Sequence, residues 1–173
     1  MAKKPIRLES AAPPSDQESK KKKEYKTVAL NRKAKFEYFL EEFFEAGLSL
    51  VGSEVKSLRA GNASIQDAFA RPEGDELWLH GMHINPWDTG SHFQPEAKRK
   101  RRLLLHVAEI RRLIGKVNER GYSLIPTRVY FKGRWAKVEI ALAKGKKLFD
   151  KRQSIREKEA QREVDRAFRG KEY

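Results

Sequence analysis

The chain has 173 residues, the size of one ordinary domain with room for extended ends. A formal net charge of +14 and a charged fraction of 36% favour a polyanionic partner, with nucleic acid ahead of an anionic membrane. The absence of cysteine excludes disulfides, thiolate catalysis and cysteine zinc sites, and no apolar run approaches the ~20 residues that span a bilayer.

Residues 1–26 are predicted to be a flexible basic leader. They are rich in Lys, Ser, Pro, Ala and Gln, and the run KKKKEYK closes the segment. Such a composition buries too little apolar surface to offset the entropy of ordering. No apolar stretch follows the first lysines, so a secretory signal is not predicted. The folded part is expected to cover residues 27–145.

The densest apolar segment, KFEYFLEEFFEAG at residues 35–47, has an ambiguous period. Its apolar residues fit a helical face that starts at Phe36, with spacings of three, four, seven and eight. Alternation at Phe36, Tyr38 and Leu40, the aromatic content and the break at Gly47 favour a strand instead. The pattern alone leaves both structures open.

A short helix is predicted in the next segment, SEVKSLRAGNAS. Ser53 is the expected N-cap, with Lys56 at the capping-box position, and Gly61 is a natural stop. The segment FARPEGDELWLHGMHI predicts two extended runs around a turn at residues 73–75, and NPWDTGSHFQPEA predicts a loop.

The segment KRKRRLLLHVAEIRRLIGKVNERG predicts one helix, or two short ones divided at Gly115. Its apolar residues lie on one helical stripe. They are Leu103, Leu104, Val107, Ile110, Leu113, Ile114 and Val117. The segment YSLIPTRVYFKGRWAKVEIALAKG then predicts two strands joined by the Lys132–Gly133 turn, and Pro126 places its strand at an edge or marks its start. Together these elements predict a small antiparallel barrel or a partly open sheet.

No catalytic or metal-binding constellation is predicted, and no cofactor. His80 and His83 would face opposite sides of an extended segment, so they and the isolated His92 and His106 are interpreted as ordinary surface or hydrogen-bonded histidines. Paired carboxylates, a nucleophile elbow and a phosphate loop are all missing. A nuclease with dispersed carboxylates stays open as an alternative.

Two groups of basic residues point to RNA. One is the run at residues 98–102. The other is Arg128, Lys132, Arg134 and Lys137, which alternate along the chain with aromatic residues. Cations neutralise phosphates, and rings stack on splayed bases. The ordinary alternative is aromatic side chains in the core and lysines on a solvated face.

Two long segments resemble the small protein B family, the bacterial SsrA-binding (tmRNA-binding) proteins. They are VALNRKAKFEYFLEEFFEAGLSLVGSEVKSLRAGNASI and RKRRLLLHVAEIRRLIGKVNERGYSLIPTRVYFKGRWAKVEIALAKGKK. The middle segment GDELWLHGMHINPW and the motif DKR fit the same family. The resemblance runs from about residue 27 to residue 152.

The resemblance implies a fold and a function. The fold is a mainly β, OB-like, closed or partly open antiparallel barrel of about six strands with about three short helices. Residues 35–47 should therefore be largely strand. The function is that of a non-enzymatic cytoplasmic adaptor that delivers tmRNA to stalled ribosomes for trans-translation. The alternative is a general OB-like RNA-binding translation or ribosome-associated factor.

The implied partners are the tRNA-like domain of tmRNA, elongation factor Tu by way of tmRNA, and the ribosome with its small-subunit RNA. The chain is expected to act as a monomer without a membrane. Matching motifs assign tmRNA binding to Asn31, Glu45, Leu104 and Lys137. The basic run adds Arg101 and Arg102. Core packing is the alternative for Leu104.

The resemblance gives residues 146–173 a separate role as a tail that is disordered when free and helical along the vacant mRNA path. The residues expected near the decoding site are Gly145, Lys146, Lys147, Phe149, Asp150, Lys151 and Arg152. Phe149 stands where relatives often have His, so it can stack but cannot titrate. The sequence itself supports a conditional helix. Asp150 with Gln153, and Ser154 with Glu157, are spaced as capping boxes, and the apolar stripe is too thin for a stable isolated helix.

Overall fold

The computed structural model describes residues 25–87, 94–118 and 121–153, together with residues 155, 156, 159 and 166. Within these residues the fold is mainly β, with nine strands and three short helices. The strands are β1 (Tyr25–Leu30), β2 (Tyr38–Leu48), β3 (Ala63–Ser64), β4 (Phe69–Glu73), β5 (Glu76–His80), β6 (His83–Ile84), β7 (Arg101–Leu104), β8 (Tyr122–Lys132) and β9 (Trp135–Gly145). The helices are α1 (Ala34–Glu37), α2 (Gly52–Arg59) and α3 (Val107–Asn118). Residues 148–153 are also helical.

Six strands form a ring of antiparallel pairings in the order β8-β4-β5-β7-β2-β9, and a β8–β9 pairing closes it. β1 adds a seventh strand beside β8. The ring is uneven, because a single pair, Ala70 with Leu124, joins β4 to β8, whereas β2 and β9 pair along nearly their whole length. The prediction of a closed or partly open barrel of about six strands is therefore confirmed.

The core lies inside this ring. Strand residues alternate between the two faces, and the inward set of β8 and β9 includes the fully buried Val129, Val138 and Ile140. Leu58 of α2 and Leu113 of α3 belong to the same buried cluster. Val55 of α2 and Val117 of α3 pack against this cluster as well, so both helices are anchored to the barrel by apolar side chains.

The ambiguous aromatic segment is largely strand. β2 covers Tyr38–Leu48, and only the turn Ala34–Glu37 before it is helical. The strand's exposure alternates along its length, with Phe39 and Phe43 about half exposed. The helical interpretation of this segment is wrong, because pairing with β9 imposes a period of two on residues that also fit a period of 3.6.

The helix predicted after residue 98 is wrong for residues 101–104 and confirmed for residues 107–118. Arg101–Leu104 form β7, which pairs with β5 and β2, so Leu103 and Leu104 point to opposite faces of a strand. The helix proper is Val107–Asn118, and it continues through Gly115 without a break. The backbone N–H of His106 donates to Glu109, which marks the start of this helix.

Three smaller expectations also change. Val51 is the N-cap of α2, and its N–H donates to Glu54, so the predicted N-cap at Ser53 is wrong. The predicted end of the helix at Gly61 is confirmed, since Gly61 has a positive φ of 86°. Pro126 lies inside β8, where the strand passes from β4 to β1 and its register with β9 shifts. A residue without an N–H is tolerated at such an irregularity. β1 begins at Tyr25, two residues before the predicted start of the fold.

Candidate nucleic-acid interface

Strand register assembles most of the candidate residues on one outer face. Leu104, Gly47, Lys137 and Tyr130 are successive cross-strand partners on β7, β2, β9 and β8. Because side chains alternate, the next outward row on the same side lies two residues along each strand, and it contains Glu45. We call this surface the outer face; residues that are far apart in the sequence meet there.

The first feature of the outer face is a groove lined with both apolar and basic side chains. Leu104 is 51% exposed and Trp135 is 74% exposed, and Lys137 and Arg134 also line the groove. Core packing is therefore the wrong alternative for Leu104. A half-exposed leucine and a tryptophan beside two cations can cover a ribose or base while the cations meet a phosphate.

Glu45 lies at the centre of a cluster of donors beside this groove. Its carboxylate accepts a short hydrogen bond from the hydroxyl of Tyr130 and forms ion pairs with Lys137 at 3.4 Å and Lys132 at 3.6 Å. The Tyr130 hydrogen bond, the largest influence, outweighs the effect of burial, and with the two lysines it holds the pKa of Glu45 below its usual range. Burial, followed by the contact with Glu45, raises the pKa of Tyr130. Tyr130 therefore stays protonated, and Glu45 stays an anion.

This cluster gives Glu45 two possible uses toward RNA. It can accept a hydrogen bond from a base or a 2′-hydroxyl. It also holds the ammonium groups of Lys137 and Lys132 on the outer face, ready to exchange a carboxylate partner for a phosphate.

A second groove lies on the other side of the row that contains Glu45. Leu30 is 52% exposed and Phe43 is 53% exposed, and Arg32, Lys35 and Arg128 also line the groove. The carboxylate of Glu139 holds the guanidinium of Arg128 through contacts of 2.8 and 3.0 Å. The residue-based predictions missed Leu30 and Phe43. Phe43 and Glu45 are two residues apart, and such residues lie on the same face of a strand. This spacing would have placed Phe43 on the outer face if β2 had been assigned as a strand.

Asn31 borders the second groove, but most of its side-chain hydrogen bonds stay within the protein. It is 5% exposed, its Nδ2 donates to the carbonyls of Ile65 and Gln66, and its Oδ1 accepts from the N–H of Ala34. These bonds tie the turn after β1 to the loop before β4. A role in shaping the groove fits this geometry better than a directed contact with a base.

Arg101 and Arg102 are neighbours with opposite environments. Arg101 is 1% exposed, and its guanidinium contacts the carboxylate of Glu54 and the carbonyl oxygens of Met82, Arg99 and Ala97. That predicted RNA contact is corrected, because this guanidinium does not reach the surface. The side chain of Arg102 is 52% exposed and pairs with Glu76 at 2.7 Å, so it remains accessible to RNA.

Glu54 makes the burial of Arg101 tolerable. Burial alone would raise the pKa of this carboxyl, but hydrogen bonds from Arg99 and from the Val51 N–H, together with the two guanidinium charges, hold the pKa below its usual range. Arg99 contacts Glu54 at 2.6 Å and Arg101 contacts it at 2.9 Å. The cluster fixes the segment before β7 to α2.

The predicted decoding-site residues form the junction between β9 and the helical segment 148–153. Gly145 ends β9 opposite Tyr38. Asp150 accepts from the N–H of Lys147 at 3.0 Å, so it caps the helix from its first turn and is not the N-cap that the capping-box spacing predicted. Phe149 is 75% exposed.

The rest of the predicted tail set surrounds this turn. Lys146 contacts α1, Lys151 donates its N–H to the carbonyl of Lys147, and Arg152 is exposed. The predicted second capping box, Ser154 with Glu157, lies outside the described residues.

The histidines do not converge within the part of the chain that the structure describes. His80 stacks on Phe69 and contacts Glu73 at 3.2 Å, and no group of three or more His, Cys, Asp or Glu side chains is arranged to hold a metal in those residues. His92 lies outside the described residues. In the same described part, none of the helices is both long and apolar enough to span a bilayer.

Comparisons with known proteins all point to the SmpB family of SsrA-binding proteins. The family described as SmpB protein matches residues 28–170. The SsrA-binding protein of Desulforudis audaxviator (strain MP104C) is 60% identical over 146 residues, which cover 84% of this chain and 95% of that protein. The SsrA-binding protein of Pelotomaculum thermopropionicum is 57% identical over 144 residues, which cover 83% and 94%.

A solved structure is similar as well. It is described as "tmRNA-SmpB: a journey to the center of the bacterial ribosome", and one of its chains is 48% identical to this chain with a TM-score of 0.59. The match covers 69% of this chain and 84% of that one.

Proposed function

Because the chain belongs to the SmpB family of SsrA-binding proteins, we propose that it binds tmRNA and delivers it to stalled ribosomes for trans-translation. The structural observation that carries this function is the groove of the outer face, where exposed Leu104 and Trp135 lie beside Lys137. These apolar side chains are exposed and do not pack in the core. They can contact a ribose or base of RNA while the neighbouring cation contacts a phosphate.

The outer face divides the work of binding. Lys137 meets a phosphate and leaves Glu45 as it does so. Leu104 and Trp135 pack on a base or ribose. Glu45 accepts from a base or hydroxyl, and Arg102 adds a phosphate contact from the same face of β7 as Leu104. Asn31 shapes the second groove. This assignment follows the exposure and the ion pairs of each side chain.

The tail has the second role. Residues 146–173 enter the mRNA path of a ribosome without a codon in its decoding site, and the exposed ring of Phe149 stacks there on a ribosomal base. The segment 148–153 is already helical, and its charges suit an RNA-lined channel. The partners are tmRNA, small-subunit ribosomal RNA and, through tmRNA, elongation factor Tu.

The protein acts as a non-enzymatic monomer in the bacterial cytoplasm. No chemistry is required of its side chains, because the adaptor role needs only binding and placement. A net charge of +14 supports RNA as the principal partner.

One experiment tests the division between barrel and tail. The full chain and a chain that ends after Lys147, which keeps the hydrogen bond from Lys146 to Glu37, are compared for affinity to tmRNA, tRNA and random RNA and for peptide tagging on stalled ribosomes. Both should prefer tmRNA, and only the full chain should support tagging. Equal affinity for all three RNAs would instead support a general RNA-binding factor. Metal-dependent cleavage of RNA by the pure protein would contradict the adaptor role.

A further inference from the structure

The tail is joined to the barrel by a very short junction. β9 ends at Gly145, and the helical segment starts at residue 148, so only Lys146 and Lys147 lie between them. The N–H of Lys147 donates to Asp150 at 3.0 Å, and the N–H of Lys151 donates to the carbonyl of Lys147 at 3.1 Å. These bonds order the helix start, so the direction of the tail depends on Lys146.

Lys146 is held at three points by one corner of the barrel. Its N–H donates to the carbonyl of Glu37 at 2.9 Å, which extends the β2–β9 ladder by one step. Its Nζ donates to the carbonyl of Lys35 at 3.1 Å and lies 5.0 Å from the centroid of the Phe39 ring. Main chain and side chain are therefore both bound to α1 and the start of β2.

The chemistry of these contacts is favourable for a specific reason. The last carbonyls of a helix have no partner within the helix, so donors from another segment can satisfy them. α1 has one turn, and Lys146 supplies donors to two of its carbonyls, those of Lys35 and Glu37. The ring of Phe39, which is 47% exposed, offers its face to the same ammonium group.

We propose that Lys146 is a positioning residue that fixes the direction in which the tail leaves the RNA-binding barrel. The barrel and the first turn of the tail then act as one rigid unit, so binding of the barrel to tmRNA also determines where the tail points. The proposal rests on the proposed function. It moves Lys146 from the set of direct decoding-site contacts to a role inside the protein.

The first test measures the junction itself in the full-length protein. The chain contains no cysteine, so cysteines placed at Asp75 and Leu148, both exposed, take two spin labels without background. Double electron–electron resonance should give a narrow distance distribution in the parent protein. Lys146→Ala should broaden it, because the anchored population falls roughly tenfold with the loss of a hydrogen bond and a cation–π contact.

Two variants make this test specific. Lys146→Arg keeps a cation with donors and should restore most of the narrow distribution. Phe39→Leu removes the ring but keeps the hydrogen bond from Lys146 Nζ to the carbonyl of Lys35, so it should broaden the distribution less than Lys146→Ala does. Lys56→Ala is the charge-matched control, since Lys56 is an exposed residue of α2 for which no role is assigned. A distribution that is already broad in the parent, or that does not change in Lys146→Ala, would overturn the proposal.

The second test separates anchoring from contact with the ribosome. Lys146→Ala and Phe39→Leu should each reduce peptide tagging several-fold while the affinity for tmRNA stays within about twofold. If Lys146 touches ribosomal RNA directly, Phe39→Leu will tag normally and the proposal fails. If the parent protein does not bind tmRNA at all, the proposed function fails, whereas the spin-label result still stands for the junction.

Discussion

Leu104 lies directly over Gly47, its cross-strand partner, in the space that a side chain at that position would occupy. A Cβ added to Gly47 would lie 3.2 Å from the Cβ of Leu104. Because Gly47 has no side chain, Leu104 can lie close to β2. This position of Leu104 determines the shape of the groove beside Lys137.

Gly47→Ala should weaken tmRNA binding without destabilising the fold. The Cβ of Leu104 moves only with the backbone at the end of β7, and this small shift offsets much of the about 0.5–1 kcal/mol by which alanine is favoured over glycine in a strand interior. We expect a melting temperature close to that of the parent, together with a several-fold loss of RNA affinity. Gly115→Ala is the control, because its added Cβ would meet open space in α3. If both variants bind tmRNA equally well, the groove is not the binding site.

Arg101→Gln and Arg102→Gln should have opposite effects. Removing the buried guanidinium leaves Glu54 partly unpaired and should cost about 3–5 kcal/mol of unfolding free energy. Removing the exposed one should change stability by less than about 0.5 kcal/mol, yet it should weaken tmRNA binding and lower the slope of log affinity against log salt by about 0.7–0.9. Urea denaturation and salt-dependent binding measure the two effects. A stable Arg101→Gln protein with weakened RNA binding would reverse this assignment.

Tyr130→Phe should raise the pKa of Glu45 toward its usual value, because it removes the hydrogen bond that contributes most to lowering it. A carboxyl whose pKa is lowered in the folded state stabilises the fold above its unfolded-state pKa and loses that contribution as the pH falls through the folded-state pKa. The stability difference between parent and variant should therefore be largest near neutral pH and shrink below about pH 4.

Carboxyl carbon NMR gives the pKa of Glu45 in each protein, and urea denaturation at several pH values gives the stability difference. Tyr122→Phe is the control, since the hydroxyl of Tyr122 donates to Glu41 and its loss should leave Glu45 unaffected. An unchanged pKa of Glu45 in Tyr130→Phe would mean that the two lysines alone control it.

Phe149→Ala should reduce peptide tagging more than Phe149→His. The ring is 75% exposed, so neither change should alter stability by more than about 0.5 kcal/mol, and both should leave tmRNA affinity unchanged. An imidazole ring keeps a stacking surface, whereas alanine removes it. Tagging on ribosomes stalled without a codon measures the difference. Equal activity of the two variants would argue against stacking by this side chain.

The local parts of the fold were predictable from the sequence, and the long-range parts were not. The β8–β9 hairpin follows from a glycine turn between alternating strands, and Gly133 has a positive φ of 59° as expected. β7 was mistaken for the start of a helix because its two leucines also fit a helical stripe. Only its pairing with β2 and β5, segments far away in the sequence, makes it a strand.

The composition of the candidate site was predictable from the sequence, but the orientation of its side chains was not. Lys137, Glu45 and Leu104 share the outer face because of strand register, which no local pattern shows. Arg101 and Arg102 were treated alike because a basic run looks uniform in sequence. Assigned to a strand, they point to opposite faces, and only one of them stays in water.

The closure of the barrel has a consequence for the synthesis of the protein. β2 pairs with β9, which lies about a hundred residues later in the chain. β1 and β4 both pair with β8, so these pairings form only after β8 has been synthesised. A chain interrupted before residue 135 lacks β9 altogether, so β2 and β8 keep unpaired edges that invite aggregation. An incomplete copy of this protein would therefore itself need tagging and removal.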